Sequence, residues 1–393
     1  MSEVISQNQN ERIRQLGLFM DQYLVSSDRL QLYKNNEELI KSIRPSDLFL
    51  MPMYRNDTPL SVDEIKAYAG KFVNVFYHGL VQYQWNKNAS PLLEDLIQEN
   101  QAILSQLNAI KPYLENHVIK NSKTKLIAFY ESMIAIEKKF IKLQNILYPV
   151  LENLMPSKMP FKVLWRVEDD LLELRIHILN LLQAPDVDWM KTKIAIGEFY
   201  YALTGLIQKE ELIVFPMASD RIDASVWDDM IDAAYGIGFA FLELPKPIRV
   251  HTKSVMSDFM IQTATGSLTL SQFDLLMSHL PVSITFVDEF DKVVYFNQTK
   301  EPHFPRTPQV IGREVRYCHP QKSVHVVEKI LTEFKNGRRD EAVFWMSMGP
   351  KKLLITYYAL RDEHKQYKGV MEVTQDISKM SEYSGEKRLL DWE

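Results

Sequence analysis

The sequence predicts two structural classes in one chain, an all-α region over roughly its first two thirds and an α+β domain built on one antiparallel sheet over the rest. From about residue 10 to residue 242, apolar residues recur at spacings of three and four with few glycines between them, which is the pattern of amphipathic helices. Pro245-Lys246-Pro247 then breaks the pattern, because two prolines so close together are hostile to a helix. Beyond it, short β-rich runs alternate with turn residues. At 393 residues the chain exceeds one ordinary core, and 46% hydrophobic with 25% charged residues is the composition of globular domains.

Within the helical part, Ser61 with Glu64 has the spacing of a capping box, and Ser90 before Pro91 sets a cap and a first-turn proline ahead of Leu92. Four long segments follow, Pro91 to Asn116, Thr124 to Leu154, Pro160 to Leu182 and Val187 to Met217. Short polar or proline-containing links join them, as an antiparallel four-helix bundle requires. Residues 1–85, broken at Pro45, Pro52 and Pro59, read as a smaller appended helical domain, and residues 86–245 as the bundle closed by a terminal helix from Trp227 to Leu242. Residues 246–266 are expected to be a linker.

Residues 267–393 form the α+β part. Thr269 and Gln272 start a short helix, and strands are expected over Ser283 to Val287 and Lys292 to Phe296, around the turn-like Asp288 to Asp291. A helix from Lys322 to Lys335 ends at Asn336-Gly337, where glycine suits the left-handed cap. Three more strands follow, Glu341 to Met348, Leu353 to Leu360 and Lys368 to Val373. The order β-β-helices-β-β-β with hairpin links places the helices on one face of the sheet.

The formal net charge of -5 argues against a dedicated nucleic-acid binder, which needs clustered Lys and Arg. The single cysteine, Cys318, has no partner for an internal disulfide, and Met1 to Arg12 has no apolar core of signal-peptide length. No run approaches a membrane span. A cytoplasmic protein without a membrane partner is expected. Neither a kinase motif set nor a phosphate-cradling loop nor a Gly-x-Ser-x-Gly nucleophile motif is present, so no catalytic residues are assigned.

Phe286-Val287-Asp288, Asn297 and the terminal Glu372-Val373-Thr374-Gln375-Asp376-Ile377, in that strand order, resemble a PAS domain. Ile311-Gly312-Arg313-Glu314-Val315-Arg316-Tyr317-Cys318-His319-Pro320-Gln321-Lys322-Ser323-Val324 is similar to the signature of an uncharacterised bacterial and archaeal family. That family joins an N-terminal helical domain, a hemerythrin-like HHE bundle and a C-terminal PAS domain. The closing Gly385 to Trp392 resembles its C-terminal end. In the helical part the similar pieces are Glu99-Asn100, Asn145 to Pro149, Val163-Leu164-Trp165, and Lys209 to Pro216, which resembles a Glu-Glu-x-x-Leu-Phe-Pro helix.

A hemerythrin-like centre needs imidazole and carboxylate ligands aimed inward from four helices. Residues 1–250 hold only His78, His117 and His177, and none falls at the positions the resemblance implies for ligands. Those positions read Ser90, Leu93, Lys139, Leu143, Gln144 and Leu206. Acidic residues survive in Glu168-Asp169-Asp170 and in Glu210-Glu211. The expected centre is therefore degenerate and metal-free, formed by Gln144, Glu168, Glu210 and Glu211, with the Gln144 amide donating to Glu211. The competing readings are a surface Gln144 with Glu210 and Glu211 paired to lysines, and a retained di-iron site serving as an oxygen or redox sensor.

For the PAS part, the resemblance implies that Cys318 and His319 lie on the helical side near His325, with Trp345, Tyr358 and Gln375 on the sheet, as candidates to line a ligand pocket. A His or Cys there would suit haem or another small ligand, and the thiol would be open to oxidation. The plainer readings are a packed thiol at Cys318, a turn at His319-Pro320 and a surface His325. The resemblance further implies a homodimer, with output through self-association or an unidentified protein partner, and a sensor or interaction role without enzymatic activity.

Overall fold

A computed structural model describes residues 7–51, 62–115, 118–245, 259–263, 265–299, 302–380, 383, 385 and 386, in two compact units, Met1–Lys246 and Pro247–Glu393. The expected cap at Ser61, the prolines at 52 and 59, His117, most of the C-terminal motif and residues 246–258 lie outside the described residues.

In the first unit the described residues form α1 (Gln7–Val25), α2 (Arg29–Asn35), α3 (Glu37–Lys41), α4 (Pro45–Leu50), α5 (Val62–Gln82) and α6 (Pro91–Ile110). These are followed by α7 (Lys123–Ser132), α8 (Ile136–Lys142), α9 (Tyr148–Leu154), α10 (Met159–Gln183), α11 (Trp189–Lys209), α12 (Phe215–Arg221) and α13 (Ala224–Ile237). Ser90 caps α6 as its sequence position predicts, its hydroxyl accepting from the Leu92 N–H at 3.2 Å.

The segment expected as one helix from Thr124 to Leu154 is continuous but irregular. A 3-10 turn over Met133–Ala135 joins α7 to α8, and a π turn over Leu143–Leu147 joins α8 to α9. A second π turn, Glu210–Val214, joins α11 to α12. The cause is local in both. Pro149 and Pro216 follow directly after Tyr148 and Phe215, and a proline neither donates to the carbonyl four residues back nor leaves room for it. The widened turn relieves this: the Tyr148 N–H donates to the Leu143 carbonyl and the Phe215 N–H to the Glu210 carbonyl, five residues back.

A single hydrophobic core runs from Ile13 to Ala240 and includes Phe19, Phe76, Leu96, Phe140, Phe199, Phe215 and Trp227. Residues up to 85 share this core with those that follow, so the separate N-terminal domain expected over 1–85 has no core of its own among the described residues. α1 is tied to α4 by the Arg12 guanidinium, which grips both oxygens of the buried Asp47 at 2.8 and 3.0 Å.

In the second unit, β1 (Met260–Thr263) and β2 (Gly266–Thr269) form an antiparallel hairpin, so part of the stretch expected as a linker over 246–266 is ordered strand. The Thr269–Gln272 capping box is present and starts α14 (Leu270–Ser278). β3 (Ser283–Asp288), β4 (Val293–Phe296), α15 (Gln321–Lys335), β5 (Glu341–Met348), β6 (Lys351–Arg361) and β7 (Tyr367–Asp376) complete it, the five strands pairing antiparallel in the order β4-β3-β7-β6-β5. The chain crosses from α15 to an edge strand and returns to the centre, leaving β7 between β3 and β6.

α15 ends at Gly337, whose φ of 68° is the left-handed cap its Asn-Gly pair predicts. Val287, Val293, Val310, Leu331, Phe334 and Val370 pack between sheet and helix. Asn297 closes the β3–β4 end: its oxygen accepts from the Ile284 N–H and its amide donates to the carbonyls of Met277 and Val282. No helix among the described residues is long and apolar enough to cross a membrane.

The packing of α5 against α3 leaves no room at Gly79, where a Cβ would stand 2.3 Å from the Ile40 carbonyl oxygen and 2.7 Å from Ile43 Cγ2. Gly79→Ala is expected to destabilise the helical unit by about 1–3 kcal/mol in urea unfolding followed by helical circular dichroism. Gly197→Ala, at a mid-helix position with nothing within 4 Å, should leave it unchanged or stabilise it by up to about 1 kcal/mol.

Candidate functional site

The interior of the helical unit contains a line of buried charged and polar side chains from four helical segments. At its centre the Lys139 ammonium from α8 lies 2.7 Å from Glu210 Oε2 in the second π turn, both side chains 0% exposed. Lys139 also sits 5.6 Å from the centre of the Phe215 ring. On one side, Glu168 of α10 accepts from Gln144 Nε2 at 2.8 Å and from the Tyr148 hydroxyl at 2.5 Å, so each of its oxygens has a donor. On the other side, Glu99 of α6 accepts from Lys142 Nζ at 2.9 Å and from the Ala240 N–H at 2.6 Å. Lys142 also donates to the Gly238 carbonyl at 2.5 Å.

Burial governs the electrostatics. Loss of hydration pushes the Glu168 carboxyl up to about 8 despite its two donors. It pushes Glu210 upward against the opposing pull of Lys139, and lowers Lys142 to about 8 against that of Glu99. Tyr148 is raised by burial and by the neighbouring Glu168 and Glu210.

The structure brings together Gln144, Glu168 and Glu210, but the Gln144 amide donates to Glu168 rather than to Glu211 as expected. The helical period explains the difference. Glu210 lies three, four and seven residues after the buried Ile207, Leu206 and Leu203 and so continues the inward face of α11, while Glu211 is half-exposed, where Asn100 and Gln101 donate to it at 3.4 and 3.5 Å. Lys139, legible in the sequence only as a replaced ligand position, supplies the central cation.

This donor set does not fit a pair of iron ions. An ammonium, an amide N–H and a hydroxyl already address the Glu210 and Glu168 oxygens that would bridge metals, and His78 and His177 lie on the surface. Among the described residues no group of three or more His, Cys, Asp or Glu is placed to hold a metal ion.

The second unit has its own polar centre on the inner sheet face. Glu372 of β7 lies opposite Thr285 on β3 and Tyr357 on β6. The Arg306 guanidinium pairs with it, and the Tyr357 hydroxyl donates to it. His319 is half-buried beside Glu372 and Arg306, and loss of hydration lowers its pKa and raises that of Tyr357. Glu372 shares the inward face with the buried Val370 and Thr374, although in the sequence the apolar Met371 and Val373 on the alternate positions point to the opposite register.

Of the residues expected to line a PAS pocket, only His319 reaches this centre. Cys318 is half-buried against the small core, its thiol 3.9 Å from the Glu314 carbonyl oxygen. His325 is exposed on α15. Trp345 and Tyr358 lie on the opposite sheet face, Trp345 68% exposed, because they alternate with the inward Ala342 and Tyr357. Gln375 lines a separate cleft at the sheet end with Ser283, His303 and Asp376.

Residues 273–378 match the family of PAS domains, and this part of the chain is a PAS domain. Three solved structures are similar to it. The C-terminal domain of a Streptococcus mutans protein is 35% identical, covers 32% of this chain and 97% of its own, and has a TM-score of 0.30. The PAS domain of a Colwellia psychrerythraea protein is 17% identical over 28% of this chain and 98% of its own, with a TM-score of 0.23. A sensory box sensor histidine kinase from Vibrio cholerae is 12% identical over 27% of this chain and 89% of its own, with a TM-score of 0.21. No curated protein matches the chain.

Two outcomes test the centre in the helical unit. Glu210→Gln, which strands the Lys139 ammonium in the core, is expected to cost about 3–5 kcal/mol in urea unfolding, and Lys139→Met combined with Glu210→Leu to recover most of it. A carboxyl raised from its ordinary value to about 8 in the folded state stabilises the fold fully below the ordinary value. That contribution declines as pH climbs to about 8, since the unfolded chain ionises first. The unfolding free energy should therefore fall between about pH 5 and pH 8, and Glu168→Gln should flatten that slope.

Proposed function

We propose that the chain is a cytoplasmic, non-enzymatic sensor or interaction protein in which a metal-free, hemerythrin-like four-helix bundle accompanies a PAS domain, with output through self-association or a protein partner. The observation that carries the metal-free reading is the buried Lys139–Glu210 pair. A fixed positive charge stands against the carboxylate where a hemerythrin-like centre holds its cations, so the scaffold keeps its inward acid without iron. The PAS domain supports the sensor or interaction role.

Self-association is favoured by the edge strand β5, an eight-residue strand whose Val343, Trp345, Met346 and Met348 are all exposed. A long apolar edge of this kind is a template for pairing with another chain. In the PAS domain, His319 beside Arg306 and Glu372 is the residue that would meet a small ligand such as haem.

Metal analysis of the purified full-length protein, with an absorbance spectrum of the same sample, is the test. The expected result is iron, manganese and zinc all well below one ion per chain, before and after incubation with ferrous salt. Two irons per chain with a charge-transfer band would establish the di-iron oxygen or redox sensor instead. A Soret band without iron in the bundle would assign the PAS domain a haem and leave the bundle reading intact.

A further inference from the structure

We propose that the groove between α5, α6 and α11 is a binding site for a small zwitterion with an apolar body, an α-amino acid with an aromatic or large aliphatic side chain. The groove has a volume of about 600 Å³, within the range of small-molecule sites. Its floor is bare at Gly70 and Gly205: a Cβ at Gly70 would meet nothing within 4 Å, and one at Gly205 only the Lys209 ammonium at 3.6 Å. Tyr77 and Tyr201 line it with rings 47% and 75% exposed, apolar surface that the fold itself leaves uncovered.

The charges define the ligand. Among the described residues Lys209 donates only to the Gly205 carbonyl, at 3.0 Å, and forms no ion pair; its acidic neighbour Glu210 is engaged by Lys139. Burial lowers the pKa of this ammonium. Among the described residues Glu211 is met only by the amides of Asn100 and Gln101 and has no cationic partner. At about 100° per residue, Lys209 and Glu211 fall on opposite sides of the helical face formed by Tyr201, Gly205 and Gln208. One groove thus holds a cation and an anion that form no ion pair among the described residues, one on each rim. A ligand carrying a carboxylate and an ammonium on one carbon presents a charge to each, and its apolar side chain has the tyrosine rings to cover it. This reading is independent of the metal content of the bundle.

Calorimetric titration of the full chain with L-phenylalanine tests it. Saturable binding of one molecule per chain is expected, weakened about tenfold or more for phenylacetate, which lacks the ammonium, and for phenethylamine, which lacks the carboxylate. Lys209→Met and Glu211→Gln should each cause a loss of similar size, and Gly205→Leu should abolish binding by filling the floor. Thermal unfolding checks that each variant is folded, and the exposed Tyr201→Ala, expected to weaken binding, serves where one is not. Absence of saturable binding by both L-phenylalanine and L-leucine, equal binding of phenylacetate, or wild-type affinity in the folded charge variants would overturn the proposal.

Discussion

A carboxylate taken out of water must find compensation inside the protein, and the helical unit is organised around three such groups. Glu99, Glu168 and Glu210 come from three different segments and are buried in one core. Each meets a different answer. Glu210 has the full charge of Lys139, Glu168 has two neutral donors, and Glu99 has an ammonium together with a backbone N–H. Loss of hydration raises Glu168 to about 8, and its two neutral donors only partly offset it. The helices that carry these groups are therefore fixed relative to one another by pairing rules as well as by shape.

Much of this architecture is legible in the sequence because it rests on local chemistry. Ser90-Pro91 and Thr269-x-x-Gln272 announce helix starts through side chains that bond nearby backbone, Asn336-Gly337 announces a helix end through the left-handed conformation open to glycine, and each is found there. The strand order follows from turn residues between β-rich runs. What the sequence does not disclose depends on register. Reading Lys209 to Pro216 as regular helix from its downstream end groups Glu211 with Val214 and Phe215, whereas Glu210 continues the buried face of α11; the π turn ahead of Pro216 offsets these two frames. A two-residue period has the same weakness on β5, where Val343, Phe344, Trp345 and Met346 are apolar on both faces and give no preference for either.

Lys139 was hidden for another reason. A lysine at a core position reads as a lost ligand when metal is the expectation, whereas its ammonium reaches Glu210 from a different helix, a pairing no local pattern encodes. The same holds for Arg306 and Glu372, separated by 66 residues and joined only once the sheet has formed. In both units the decisive polar contacts are between distant segments, so they become visible only with the fold.

The end of the helical unit illustrates what a buried anchor does for a chain that continues. After α13, Gly238 turns at a φ of 80° and the next residues fold back so that Phe239 pairs with Leu242. Here Lys142 holds the Gly238 carbonyl and Glu99 the Ala240 N–H. A pull exerted on the polypeptide downstream of Leu244 is thereby delivered to two side chains rooted in α6 and α8, and α13 is shielded from unravelling from its C-terminal end. Such traction first loads the Phe239–Leu242 pairing and then the contacts that Glu99 and Lys142 make in the interior, before it reaches the C-terminal turn of α13.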